Sequence, residues 1–115
     1  MHELSIAMSI LELAEEEAER RGGVRVNAIH LKLGALSGVD KEALLSAYEL
    51  ATEQTAFAAC QLVVEQIPIV VYCSKCEAER LIASIQLFEC TECGTPSHNV
   101  VRGRELQVSA LELGE

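Results

Sequence analysis

Two C-x2-C pairs, Cys73 with Cys76 and Cys90 with Cys93, constrain this chain more than any other feature of it. Each pair presents two thiolates from a tight turn, and the thirteen residues between the pairs suffice for a hairpin that closes them around a tetrahedral ion. Gly94, directly after the second pair, gives the backbone freedom beside Cys93. Two disulfides and a thioredoxin-like dithiol are the competing readings. A reducing compartment opposes the first, and the symmetry of the two pairs opposes the second. Four thiolates leave no open position for water, so the expected ion is structural zinc rather than a hydrolytic centre. The ion should also hold its segment folded, because a stretch with one Phe and little aliphatic bulk packs no core of its own.

The compartment is read from the N-terminal half. Leu4 to Leu11 is apolar but has no basic region before it and runs into Glu12, Glu15, Glu16 and Glu17, so it is not a secretory signal. Ile67 to Cys73, the other apolar run, is far short of a membrane span. A cytoplasmic protein is expected. Its formal charge of -9 removes the clustered Lys and Arg by which proteins hold phosphate backbones or anionic lipid, so neither nucleic acid nor membrane is an expected partner.

The 115 residues allow one main domain and a small satellite, and the apolar half of the composition excludes disorder. Leu4, Ala7, Leu11, Ala14 and Ala18, with Ile10, recur at helical steps, and Glu16–Arg20 and Glu17–Arg21 are four-residue charge pairs on the same helix. Gly22-Gly23 stops it. Val24 to Leu33 reads as a strand in which Ile29, Leu31 and Leu33 share a face; Val24 and Val26 have the opposite parity, which calls for a bulge or for cover on both faces. After a turn at Gly34 to Gly38, Asp40 caps a second helix with Leu44, Leu45, Tyr48 and Ala51 inward, ending near Gln54. Gln61 to Ile67, closed by Pro68, and Glu105 to Leu113 are the remaining strands. The expected fold is α+β: two helices on a small three-stranded sheet, with an inserted four-cysteine, zinc-ribbon-like subdomain. Residues 1–69 and 101–115 would form the main domain and residues 70–100 the insert.

Other reactive side chains have plain explanations. Cys60 beside a strand reads as a small buried hydrophobe, His30 as a solvent-facing strand residue, and His98 as surplus to a complete ligand set. His2 and Glu3 differ because they adjoin the α-amine of Met1. A primary amine, deprotonated amide nitrogens and an imidazole form the tetragonal nitrogen-rich field that Ni(II) or Cu(II) prefers.

The opening Met1-His2-Glu3-Leu4-Ser5-Ile6-Ala7, the run Leu33-Gly34-Ala35-Leu36-Ser37-Gly38-Val39, the two cysteine pairs and the closing Gly103-Arg104-Glu105-Leu106 together resemble the HypA/HybF family of nickel-insertion proteins for [NiFe]-hydrogenase maturation. The resemblance implies a nickel-binding domain with a zinc domain inserted in it. It implies Ni(II) at Met1, His2 and Glu3, and zinc at Cys73, Cys76, Cys90 and Cys93. The acidic residue at the Asp40 position is considered a further ligand in some members. Some relatives carry histidines beside the cysteine pairs where this chain has Ser74, Glu77 and Gly94, so a histidine-linked switch of the zinc site is not expected here. The implied role is that of a metallochaperone and not an enzyme, passing nickel with a HypB-like GTPase to the hydrogenase large-subunit precursor, with at most a weak homodimer. The competing role is a zinc-knuckle adaptor with no nickel function.

Overall fold

The computed structural model describes residues 2–114. Helix α1 (Glu3–Arg20) is followed by β1 (Val26–Gly34), α2 (Lys41–Thr52), β2 (Gln61–Ile67), β3 (Val70–Cys73), β4 (Ala78–Leu81), β5 (Asn99–Arg102) and β6 (Leu106–Leu113). Two three-stranded sheets result, ordered β2-β1-β6 and β4-β3-β5. The chain divides into two compact units: one holds residues 1–32, 38–65 and 107–115, the other residues 33–37 and 66–106.

In the first unit the apolar stripe of α1 is Ala7, Ile10, Leu11, Ala14 and Ala18, all buried. The alanines let the helix backbone come close to its neighbours, and α1 packs along α2. Leu4, expected on this stripe, is 49% exposed; Ile6 takes its place against the core. The helix ends as its glycines dictate. Gly22 adopts a left-handed φ of 85°, Gly23 N–H donates to Ala18 O at 2.9 Å and Gly22 N–H to Glu19 O at 3.1 Å, which satisfies the last carbonyls in a Schellman arrangement. Only one of the two expected charge pairs forms. Glu17 serves both arginines, Arg20 at 2.8 Å and Arg21 at 3.4 Å, and Glu16 takes no part, because both the three- and four-residue steps bring cations over Glu17.

Asp40 caps α2 as expected, its carboxylate accepting from Glu42 N–H at 3.0 Å. The inward residues of α2 are Leu44, Tyr48 and Thr52; Leu45 is only half-buried. Strand β1 starts at Val26 rather than Val24, and Val26 and Ala28 are buried along with Ile29, Leu31 and Leu33, so its first half is covered on both parities. Tyr48 ties α2 to the residue preceding β2: its hydroxyl donates to Cys60 O at 2.9 Å. Burial, seconded by Cys60, pushes the Tyr48 phenol well above its ordinary range, so it remains a neutral donor. Tyr48→Phe should therefore cost about 1–2 kcal/mol in urea denaturation, because the Cys60 carbonyl is left without its partner. Unchanged stability would show that water replaces the hydroxyl. Cys60 is buried, as the sequence suggests, and desolvation raises its thiol pKa. His30 is not simply solvated; its Nε2 lies 2.5 Å from Glu112 Oε2 on β6.

In the second unit β3 is the central strand, antiparallel to both β4 and β5. Its core is small: Leu33, Ile69, Val70 and Val71 with Cys73 and Cys90. No residue of β4 or β5 is fully buried. Two glycine-bearing segments meet here backbone to backbone: Gly34 N–H donates to Glu105 O at 2.7 Å and Leu36 N–H to Gly103 O at 2.6 Å, while Ala35 N–H donates to Ile67 O at 3.0 Å.

Candidate metal centre

The four cysteines come from two turns. Cys73 ends β3 and Cys76 lies in the tight turn before β4; Cys90 and Cys93 lie in the segment between β4 and β5. The turns are built alike: Cys76 N–H donates to Cys73 Sγ at 3.4 Å, and Glu92 N–H donates to Cys90 Sγ at 3.4 Å. Each first cysteine thus curls the following backbone around its own sulfur. Glu77 accepts a left-handed φ of 53° to close the first turn. Gly94, at φ 76°, closes the second, and its N–H donates to Cys90 O at 2.9 Å.

All four sulfurs lie within 4.8 Å of one another. Cys73 and Cys93 are 3.6 Å apart, and Cys76 and Cys90 are 3.8 Å apart. A tetrahedral ion with metal–sulfur bonds of about 2.3 Å requires sulfur–sulfur edges of about 3.8 Å. Two edges match that value and the rest lie within 4.8 Å, so the arrangement suits a four-coordinate thiophilic ion. All four thiols are free, so no disulfide forms, and each pairing across the cluster joins one cysteine of each turn. Cys73 and Cys90 are buried, Cys76 is intermediate and Cys93 is exposed. One side of the cluster is therefore open to an incoming ion.

Crowding spreads the thiol pKa values. The backbone N–H groups of Cys93 and Glu92 pull Cys90 down to about 6. The Thr95 hydroxyl and amide lower Cys93. Cys76, hydrogen-bonded first of all to the Cys93 sulfur, is pushed up to about 11. The first thiolates are stabilised by aimed N–H and O–H donors, whereas Cys76 is held as a thiol because its own S–H serves the Cys93 sulfur and burial penalises its charged form. A divalent cation supplies the missing positive charge and lets all four ionise.

Among the described residues, no other group of three or more His, Cys, Asp or Glu side chains could hold a metal ion. His98, the surplus histidine, stacks on Phe88 with ring centroids 6.1 Å apart. Met1 lies outside the described residues. His2 is exposed at the N-cap position of α1, where its side chain makes no capping bond, and Glu3 is the first helical residue. Asp40 is occupied with its cap. The sequence reading passed over Thr95, whose hydroxyl lies 3.1 Å from Cys93 Sγ, and Arg80, which pairs with Val71 on the face of the sheet that carries Cys73. Strand parity counted back from Cys73 could have found Arg80; nothing in the spacing marks Thr95.

A family model described as hydrogenase/urease nickel incorporation, metallochaperone, hypA matches residues 1–113. The chain belongs to the HypA family. Among HypA relatives, the hydrogenase maturation factor HypA of Chloroflexus aurantiacus is 43% identical over 97% of this chain and 98% of its own length. That of a Roseiflexus species is 41% identical over 97% of this chain and 91% of its own. The solution structure of the Ni metallochaperone HypA from Helicobacter pylori superposes with a TM-score of 0.65 over 98% of this chain and 97% of that one, at 23% identity. A second HypA solution structure gives 0.70 at the same identity, covering 98% and 96%. These establish a common fold; in this chain it comprises two helices and small sheets, with the four cysteines clustered, as the sequence led us to expect. The family is described as one of metallochaperones for nickel incorporation, and the relatives are named as hydrogenase maturation factors. No helix among the described residues is long and apolar enough to cross a membrane.

Proposed function

We propose that this chain is a nickel metallochaperone of the cytoplasm that delivers Ni(II) for [NiFe]-hydrogenase maturation. Cys73, Cys76, Cys90 and Cys93 hold a structural zinc ion, and the nickel cargo is taken up at Met1, His2 and Glu3. Its partners are a HypB-like GTPase and the hydrogenase large-subunit precursor, and residues 70–100 serve as the zinc-binding insert in a nickel-binding domain. The observation that carries the reading is the Met1-His2-Glu3 start within a family match that runs from residue 1 to 113.

The chemistry supports two different ions at two different places. Four soft thiolates, half of them buried, bind tightly and exchange slowly, which suits a structural ion. A carrier needs donors that grip the cargo and yet can be displaced. The α-amine of Met1, the amide nitrogens of His2 and Glu3 and an exposed imidazole meet that need, since a competing ligand can approach His2 from solvent.

Untagged protein should bind one Ni(II) per chain by calorimetry, and His2→Ala should abolish one-to-one binding while leaving the zinc content and fold unchanged. An N-terminal extension that buries the α-amine in a peptide bond should do the same. Unchanged nickel affinity in His2→Ala would overturn the nickel assignment. The adaptor reading draws on Leu81, Ile85 and Leu87, which are exposed around the cysteine turns; it expects neither change to matter.

A further inference from the structure

We infer that the outer stripe of α1, formed by Leu4, Met8, Glu12, Glu15 and Glu19, together with the apolar cavity at its far end, is the docking face for a cationic amphipathic helix of a partner protein. The inference goes beyond the metal assignments and needs neither ion.

The stripe follows from the helical repeat. Successive steps of three and four residues place these five side chains along one side of α1, and all but the buried side of that helix is free to receive a partner there, since each of the five is exposed. Leu4 and Met8 are large apolar side chains left in water, at 49% and 53% exposure, although α1 already has a fully buried apolar stripe to hold it on its domain. The apolar start of a second stripe marks an interaction face.

Towards the C-terminal end of α1 the same stripe turns acidic. Glu12, Glu15 and Glu19 form no ion pair with any described residue. The cations of the helix end do not serve them, because Arg20 and Arg21 are both taken by Glu17, which stands about 200° around the helix from Glu15. Like charges at these spacings repel one another, and a cation from outside relieves the repulsion.

Glu15 and Glu19 also stand on the rim of a cavity of about 320 Å³ lined by Val24, Ala56 and Phe57. The loop that carries Ala56 and Phe57 is braced from within. Gln54 adopts a left-handed φ of 60°, the Thr55 hydroxyl donates to Thr52 O at 2.7 Å and accepts from Phe57 N–H at 3.1 Å, and Cys60 N–H donates to Phe57 O at 2.9 Å. The cavity is thus formed before a partner arrives, which spares the cost of ordering a loop on binding. Arg25 is the cation among the lining residues; its Nε lies beside Gly114, where a Cβ would approach to 3.4 Å, and one arginine against three carboxylates leaves the face negative.

The occupant follows from this order of groups. The cavity takes an apolar anchor at one end, Leu4 and Met8 meet apolar side chains at the other, and the carboxylates between them select Lys or Arg. From Leu4 to Glu19 the stripe is about 22 Å long, so a partner helix of about four turns covers it.

The test titrates the full chain with a synthetic helical peptide of about fifteen residues, made of leucine and lysine with the leucines at three- and four-residue steps. Amide shifts should be confined to α1 and residues 54–58. Replacing Glu12, Glu15 and Glu19 together by Gln should weaken binding about tenfold, and Met8→Ser about fivefold. A Glu42→Gln, Glu49→Gln, Glu65→Gln triple, an equal loss of charge elsewhere, should bind within about twofold of wild type. Absence of binding, shifts centred off α1, equal weakening by the two charge triples, or equal affinity for oligolysine of the same charge would overturn the proposal. So would a concentration-dependent dimer of the chain alone that the Glu12, Glu15 and Glu19 replacement abolishes, since the face would then belong to a second copy. None of these readouts involves nickel, so failure here leaves the nickel assignment standing, and failure of nickel binding in His2→Ala leaves this one standing.

Discussion

Cys73→Ser, or removal of the metal by a strong chelator, should unfold the 66–106 segment while the helices of the first unit keep their secondary structure. The expectation follows from what the second unit has to hold it together. Its buried aliphatic residues are Leu33, Ile69, Val70 and Val71, and most of β4, β5 and the long segment between them is exposed or half-exposed. Full burial of such side chains is worth about 1.5–3 kcal/mol each, whereas ordering a residue costs roughly 1–2 kcal/mol of backbone entropy. Four aliphatic side chains cannot order some forty residues. A zinc ion held by the four cysteines would be the largest single stabilising contribution, since structural zinc centres bind with apparent free energies of about 10–16 kcal/mol. Without it, the four sulfurs held within 4.8 Å lose their reason to be together, and Cys73 and Cys90 become buried thiols with weak partners. Amide resonances of residues 66–106 should collapse to the narrow dispersion of an unfolded chain, with those of α1 and α2 little changed. Full dispersion in metal-free protein would show that the unit folds on its hydrogen bonds alone.

Gly34→Ala should be the most damaging single methyl addition in the chain. A Cβ built on Gly34 would stand 2.2 Å from Gly103 O, 2.3 Å from Gly103 C and 2.6 Å from Glu105 N. All three are backbone atoms and cannot turn aside as a side chain would. Relief requires the two segments to part, which breaks the Gly34–Glu105 and Leu36–Gly103 hydrogen bonds. Gly103 cannot yield easily, because its φ of 123° is open to glycine alone and a Cβ there would lie 3.0 Å from Ile69 Cα. Overpacking with loss of buried backbone hydrogen bonds should cost about 3 kcal/mol, a fall of roughly 10 °C in Tm for a chain of this size. A Tm unchanged within about 2 °C would mean that the segments separate freely. By contrast, a Cβ on Gly38 meets nothing within 4 Å, and there the left-handed φ of 79° is the constraint. Two glycines of one family motif are thus required for different reasons, one for space and one for backbone angle.

Local chemistry accounts for what could be read before any coordinates. Asp40 before an apolar stripe is a cap wherever the helix sits, and Gly22-Gly23 after Ala18 ends a helix by satisfying its own carbonyls. The cysteine spacing specified two matching turns, because each sulfur captures an amide only two or three residues ahead. These features depend on neighbours in sequence. The errors lie where the partner is distant. Leu4 satisfies the helical period, but the covered face of α1 begins at Ile6 and Ala7. Glu17, rather than Glu16, gathers Arg20 and Arg21 because two cations at adjacent positions share one carboxylate. His30 meets Glu112 across a strand pairing that joins β1 to β6, eighty-two residues on.

For the candidate metal centre, the sequence by itself determined the four cysteines, their grouping into two turns and the family to which the chain belongs, since residue type and spacing are properties of the chain. Only the tertiary structure decided which sulfurs face each other across the cluster and that backbone N–H groups are aimed at Cys90, pulling its thiol pKa down to about 6. It also decided that Gly34 and Gly103, sixty-nine residues apart, must both lack a side chain. The physical reason is the same in each case. Hydrogen bonds, charge and excluded volume act over a few ångströms of space, and the sequence shows only those partners that the backbone already holds close.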